Sequence, residues 1–416
     1  MIATAILLSC HPESDDIKLI SGKMFELEAG SNYTTLDADD WLILHDKNGA
    51  VVFASEFQNG STVVVDSLPY KASDRITVTL LHITYFNGIP TFSFTSYLGE
   101  EVNSKWTLRN NVTDTDLKAT GEQLGTLTVQ VEDVMFGPSF ESQLSNRFFS
   151  RRPEVHILSD DAFAHKPQYL SNTVNDYFLF VVDENDIPRY KFLEDVDYRK
   201  TKLQFKHLDT FDKIVEVEFP STSSSGLFIQ GYEEDQVPSE TSGYYTNYYY
   251  NSGLMLTPRT NFKAGYLNRF SKYRTKAFAR YKGYSYEYNA LGGIPASIEF
   301  PLHASVELQE RDFTNFSFSS DTELVRRSSS WFFSGIIEDK SFAVTWEVNA
   351  PGTDFRAPQE IPEVILNRYP SLRLDYLKHQ TTRFYTAADS WETYLDKKFK
   401  DDDPYGDFVE VFIEVK

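Results

Sequence analysis

Side chains able to do chemistry are unevenly spread along this sequence. There is one cysteine, Cys10, so no internal disulfide can form, and thiolate clusters for zinc or iron–sulfur centres are excluded. The eight histidines are scattered, and none stands in the H-x-x-x-H or H-E-x-x-H spacing that sets two imidazoles on one helical face. Neither a G-x-S-x-G turn nor a glycine-rich phosphate loop occurs, and Ser223-Ser224-Ser225-Gly226 reads as a flexible turn. Acidic turns at Asp37-Ala38-Asp39-Asp40, Asp183-Glu184-Asn185-Asp186 and Asp401 to Asp407 could offer oxygens to calcium. Counted from Asp401, however, the twelfth ligand position is Phe412 rather than Glu, so these read as solvated turns. No metal and no cofactor is implied. Carboxylates number 61, and a pair suited to glycoside hydrolysis is set by separation in space, which spacing along a chain does not give. No catalytic residue is therefore named, and a secreted glycosidase-like hydrolase with acidic residues stands as the alternative function, as does a structural or assembly module.

Binding chemistry is more concentrated. Tyr244, Tyr245, Tyr248, Tyr249 and Tyr250 fall within seven residues, and a basic stretch with further tyrosines runs from Arg259 through Lys272, Arg274, Lys276 and Arg280 to Lys282. Tyrosine offers a flat apolar ring with a polar tip, which suits a glycan or a protein surface at low entropic cost. These five tyrosines are the candidate binding residues. The same pattern also suits rings that alternate in and out of an extended hairpin and simply pack.

The rest of the chain must position those groups. Its formal charge is −21, which excludes nucleic acid as a partner and disfavours anionic lipid surfaces, since phosphate binding needs positive potential. Aromatic content is 15 %, with 25 Tyr and 33 Phe, and with abundant Thr, Val and Ile it predicts a mostly β protein. No run approaches the roughly 20 apolar residues of a membrane span.

Turn signals then divide the chain. Trp41 to Leu44 is an apolar strand leading into Asp46-Lys47-Asn48-Gly49, a strong hairpin signal, and Ile76, Val78 and Leu80 share one face of a later strand. Phe178 to Val182, followed by Asp183-Glu184-Asn185-Asp186, echoes the first hairpin, and Asp212-Lys213-Ile214 echoes Asp74-Arg75-Ile76. Asn87-Gly88-Ile89-Pro90 has a counterpart in Gly292-Gly293-Ile294-Pro295. The expected architecture is two tandem antiparallel β-sandwich domains over 17–150 and 153–350, a Tyr-rich insertion at 233–290, and a small α+β C-terminal part at 351–416. In that last part Asp389-Ser390 caps a helix from Trp391 to Phe399, and a final strand with Val409, Val411, Ile413 and Val415 on one face completes a sheet begun earlier.

Two local resemblances add to this. Leu7-Leu8-Ser9-Cys10, after the apolar Ile2 to Ile6 and before the polar His11-Pro12-Glu13-Ser14-Asp15-Asp16, resembles the lipobox of bacterial lipoproteins. The resemblance implies a signal peptide over 1–9, lipid attachment at Cys10, a lipidated tether over 10–16 and an acyl anchor in the outer-membrane bilayer, facing the cell surface or the periplasm. The overall style is similar to lipoproteins of the Bacteroidota. Against this, no Lys or Arg precedes Lys18, and the same nine residues also suit a buried strand. Residues 36–81 resemble carboxypeptidase-regulatory-like and transthyretin-like sandwiches, which are mostly non-catalytic. The expectation is an exported, anchored, non-catalytic protein that binds glycan or protein through aromatic loops.

Overall fold

The computed structural model describes residues 23–34, 38–66, 75–110, 123–137, 140–146, 155–165, 168–171, 176–194, 196, 200–221, 224–234, 246–252, 260–337, 340–352, 358, 360–370, 372–400 and 406–416. Cys10, Tyr244 and Tyr245 lie outside them.

The strands open with β1 (Phe25–Ala29), β2 (Asp39–His45), β3 (Val51–Phe57), β4 (Thr62–Val65), β5 (Arg75–Phe86), β6 (Ile89–Glu101) and β7 (Ser104–Leu108). Next come β8 (Gln123–Glu132), β9 (Glu141–Ser145), β10 (Val155–Ser159), β11 (Ala162–His165), β12 (Gln168–Ser171), β13 (Tyr177–Val182), β14 (Pro188–Leu193), β15 (Lys200–Gln204) and β16 (Asp209–Thr210). The Tyr-rich region holds β17 (Lys213–Glu218), β18 (Ser224–Tyr232), β19 (Thr246–Ser252), β20 (Asn261–Tyr266), β21 (Lys272–Tyr281) and β22 (Tyr284–Gly292). Last are β23 (Val306–Glu310), β24 (Ser317–Ser320), β25 (Arg326–Ile337), β26 (Lys340–Pro351), α1 (Glu363–Arg368), β27 (Lys378–Ala387), α2 (Trp391–Phe399) and β28 (Phe408–Val415). The molecule is mostly β and rich in sandwiches, as composition and alternation predict.

Local chemistry sets the hairpins. Asp46 Oδ1 accepts from the amides of Asn48 and Ala50 at 2.8 and 2.9 Å, and Asp183 Oδ1 accepts from those of Asn185 and Ile187, each at 3.0 Å. The two echoed turns thus close in the same way, with Gly49 and Asp186 in the left-handed region at φ 85 and 61°. The likeness ends there: β5 lies beside β2 in the sheet, whereas β17 pairs with β20. Asn87-Gly88 makes the β5–β6 hairpin, and its geometric counterpart is Lys282-Gly283 between β21 and β22, again two successive residues with positive φ.

Among the described residues twelve strands form one sheet in the order β19-β18-β21-β22-β28-β27-β25-β26-β6-β5-β2-β3. Every pairing in it is antiparallel except β26 with β6. That parallel seam joins N-terminal to C-terminal chain, and Phe94 stacks on Trp346 across it at 4.2 Å. The segment 233–290, read from sequence as an insertion, supplies four strands, of which β21 and β22 lie inside the large sheet. Ser224, Ser225 and Gly226, read as a flexible turn, are instead the first residues of β18: β19 pairs with all three, and β21 with Ser225 and Gly226 from the other side.

Three further layers bury the apolar residues. A sheet of β4, β1 and β7 covers one face of β2, β5 and β6 with Phe25, Leu27 and Trp106 facing Leu42, Leu44 and Val78. Helix α2 enters this core from the far end of the chain, and Phe399 stacks on Trp106 at 3.8 Å. The opposite face of the same strands meets Ile361, Ile365 and Leu372 around α1. A second sandwich packs β8, β10, β11, β12 and β15 against β16, β14, β13 and β9, whose other face meets β18, β21 and β22. The boundary read at 151–153 falls between β9 and β10, both of which belong to that unit.

Strands β2 and β13 are buried on both faces, which is why Trp41 to Leu44 and Phe178 to Val182 are unbroken apolar runs rather than alternating ones. Strand β28 sits between β22 and β27. Ser390 Oγ accepts from the Thr393 amide at 3.2 Å and caps α2. Ser390→Ala should cost about 1 kcal/mol of stability, read as a lowered urea midpoint with an unchanged slope.

Candidate functional site

Alternation along β21 sorts its side chains into two faces. Tyr273, Thr275, Ala277 and Ala279 are buried, while Lys276 and Phe278 are half buried and Arg280 is exposed. The first set belongs to the face packed on the inner sheets. The second set shares a face with β18, β22, β28, β27 and β25; that face is buried at Arg274, Phe412, Tyr385 and Arg326 and half buried around Phe278.

Phe278 is the flattest feature of that face. It stands opposite Gly226, and a Cβ on Gly226 would come within 2.4 Å of the ring. The ring therefore lies on bare backbone of β18, and only glycine permits that approach. Around it stand Lys276 and Arg280 on the same strand, Glu287 directly across on β22, and Phe228 two residues along β18. Burial pushes the Glu287 carboxyl above its ordinary range, Arg383 and Lys276 opposing and neighbouring Glu414 adding to the rise.

Farther across, cations lie on rings. Arg383 Nε donates to Glu414 at 3.2 Å and covers the Phe412 ring. Arg326 is paired with Glu410 and lies between the rings of Tyr385 and Tyr394, at 3.8 and 4.1 Å. These rings are covered by guanidinium groups, whereas Phe278 and Phe228 are half buried near the β18 end of the sheet.

Of the residues singled out from sequence, Tyr248, Tyr249 and Tyr250 lie on β19, at one edge of the large sheet. The register sets Tyr248 opposite Phe228, Tyr249 opposite Leu227 and Tyr250 opposite Gly226. Cys10, Tyr244 and Tyr245 lie outside the described residues, as does most of the acidic run at 401–407. Phe228, Phe278 and Glu287 escaped the sequence reading. The period-two alternation of Lys272, Arg274, Lys276, Phe278 and Arg280 was the signal for the strand, but only the pairing with Gly226 reveals the platform.

The acidic turns have structural duties. Asp39 pairs with Arg368 and Asp40 with His82, at 2.8 and 2.7 Å, and Asp183 closes its hairpin. Among the described residues no group of three or more His, Cys, Asp and Glu side chains could hold a metal ion, and no helix is long and apolar enough to cross a membrane. Glu360 and Glu363 do share a cleft, but its other walls include Ile361, Leu366 and Leu372, and Glu360 accepts from the Val51 amide at 2.9 Å.

No family model matches the chain, and neither does any curated protein. Among solved structures it is similar to the crystal structure of a tetra-tandem repeat in the extending region of a large adhesion protein, at 7 % identity and a TM-score of 0.12, over 95 % of this chain and 99 % of that one. A likeness of that size carries no argument about fold or function.

Proposed function

We propose that the protein is an exported, non-catalytic binder, held to the outer-membrane bilayer by an acyl chain on Cys10, that takes a glycan on the part of its large sheet around Phe278. The observation that carries this reading is the Phe278 ring lying on Gly226, with Lys276, Arg280 and Glu287 around it. A pyranose has an apolar face and a rim of hydroxyls. A flat ring bordered by fixed donors and an acceptor matches both, and a ligand running across the strands meets a new row of side chains every ~4.8 Å. Tyr248 and Tyr250 lie on the neighbouring edge strand, paired with Phe228 and Gly226.

A glycan array followed by titration of the best binder tests it. Phe278→Ala should weaken binding roughly tenfold, the loss of about 1.4 kcal/mol of stacking. Gly226→Val, which displaces the ring, should do the same. Binding that is indifferent to both changes sinks the glycan reading. Labelled palmitate incorporated into the wild type and absent from Cys10→Ala tests the anchor.

One observation favours a second reading, hydrolysis of that glycan. Burial raises the Glu287 pKa, as a general acid requires, and a second carboxylate, Glu414, is its neighbour. Shortening of the bound glycan by the wild type, abolished in Glu287→Gln, would establish it.

A further inference from the structure

Every second residue from Lys272 to Lys282 is basic except Phe278, the others being Arg274, Lys276 and Arg280. Period two sets Lys272 to Arg280 on one face of β21, so a chain of net charge −21 reverses its sign along this strand. Lys272, at the end remote from the β21–β22 turn, pairs with Asp407 at 3.2 Å, whereas the residue across from Arg280 at the turn end is the neutral Ser285. At that turn lies a cleft of about 380 Å³ walled by Arg280, Tyr281, Lys282, Tyr284, Glu414 and Lys416. Three basic side chains there face one carboxylate, and Arg383 Nε already donates to that carboxylate at 3.2 Å.

The cleft is held by its own turn. Lys282 and Gly283 have φ of 50 and 87°, the two-residue geometry of a tight hairpin, and the Tyr284 hydroxyl donates to the Val306 carbonyl at 3.1 Å. Lys282 Nζ lies 5.1 Å from the centre of the Tyr281 ring. Ammonium and guanidinium groups make charge-assisted hydrogen bonds to carboxylate or sulfate oxygens, so charge selects an anion here. Position selects what carries it. Arg280 stands two residues from Phe278 on the same side of β21, ~6.8 Å along the strand, so one ligand can touch the ring and reach the cleft. An anionic lipid surface would offer similar groups, but it presents a plane of charge to the whole molecule, whose −21 opposes the approach. A single acidic chain meets the cleft alone.

We propose that the cleft at the β21–β22 turn seats an acidic substituent, a carboxylate or a sulfate ester, of a glycan lying on Phe278, so that the ligand is an acidic polysaccharide; this rests on the glycan reading of that ring. Lys282, Lys416 and Arg280 hold the anion, and Phe278 holds the sugar to which it is attached.

Calorimetric titration with dextran, carboxymethyl dextran and dextran sulfate tests it, because the three share a backbone and differ in the substituent. At least one acidic form should bind about tenfold or more tightly than dextran, and which one does so identifies the group. Lys282→Gln with Lys416→Gln, which alters only exposed side chains, should remove most of that advantage. The same change of charge on other sheets, Lys23→Gln with Lys202→Gln, should leave it in place. Acidic forms that bind no better than dextran, or an advantage that survives the first pair of changes or is lost equally in the second, overturns the proposal. If Phe278→Ala still weakens binding in that case, the glycan reading stands without it. Binding of the acidic forms that is indifferent to Phe278→Ala overturns both. Flotation with phosphatidylglycerol vesicles that depends on Lys282 and Lys416, in a protein that ignores all three dextrans, overturns the proposal in favour of a lipid headgroup.

Discussion

Phe399→Ala is expected to destabilise the protein by about 3–5 kcal/mol, the range for removing a large buried aromatic ring. Phe399 is 4 % exposed, lies parallel to Trp106 at 3.8 Å, and meets Tyr97 edge to face at 4.9 Å. Removing it opens a cavity between β7 and α2, which the surrounding sheets are too rigid to close. It also weakens the hold of Trp391 and Leu395 on the same core. The unusual part of the expectation is its reach. A substitution near the C terminus should lower the urea midpoint of the N-terminal sandwich, read through Trp41 and Trp106 fluorescence. Phe399→Leu, which keeps most of the volume, should cost clearly less. A loss below about 1 kcal/mol for the alanine variant would show that α2 contributes little to that core.

The second large effect is on acid stability. His45 is fully buried, with Nε2 at 3.1 Å from the Glu360 carbonyl, to which it donates, and burial pushes its pKa down to about 4. His379, packed against Phe316 and Trp331, is also pushed down to about 4, by burial first and by Arg311 second. Both must stay neutral in the folded protein, whereas in the unfolded chain they take up a proton near pH 6.5. Between those values the unfolded state binds more protons, so stability rises with pH. The contribution is complete above about pH 6.5 and is lost as pH falls towards 4, on the order of 3 kcal/mol for His45 alone. Urea midpoints measured across this window should therefore fall with acidification. The slope should shrink in a variant carrying His45→Gln and His379→Gln. A wild-type profile that is flat from pH 7 to pH 4 would contradict the burial argument.

Particular residues show how far the sequence could be read. Asp46 and Asp183 announce their hairpins because an aspartate side chain reaches amides two and four residues on, an interaction contained within the turn. Ser390 announces α2 for the same reason. The Tyr-rich run was legible as unusual but not as a strand edge, because a ring that stacks on a ligand and a ring that packs in a core look alike in composition. Ser224 to Gly226 misled: a small, polar segment suggests a turn, yet Gly226 is in a strand because Phe278 needs the space that a side chain would fill. That requirement comes from a residue 52 positions away, since Gly226 and Phe278 pair across the sheet.

The sequence by itself determined what depends on neighbours along the chain: mostly β structure from aromatic and branched residues, hairpins from Asp, Asn and Gly at turn positions, and a capped helix near the end. Tertiary structure alone decided which hairpins meet. The parallel seam between β6 and β26 and the entry of α2 into the N-terminal core each join residues hundreds of positions apart. Such contacts are selected by how well whole surfaces fill space against one another, and a periodicity that shows which side of a strand is apolar says nothing about which other surface will cover it.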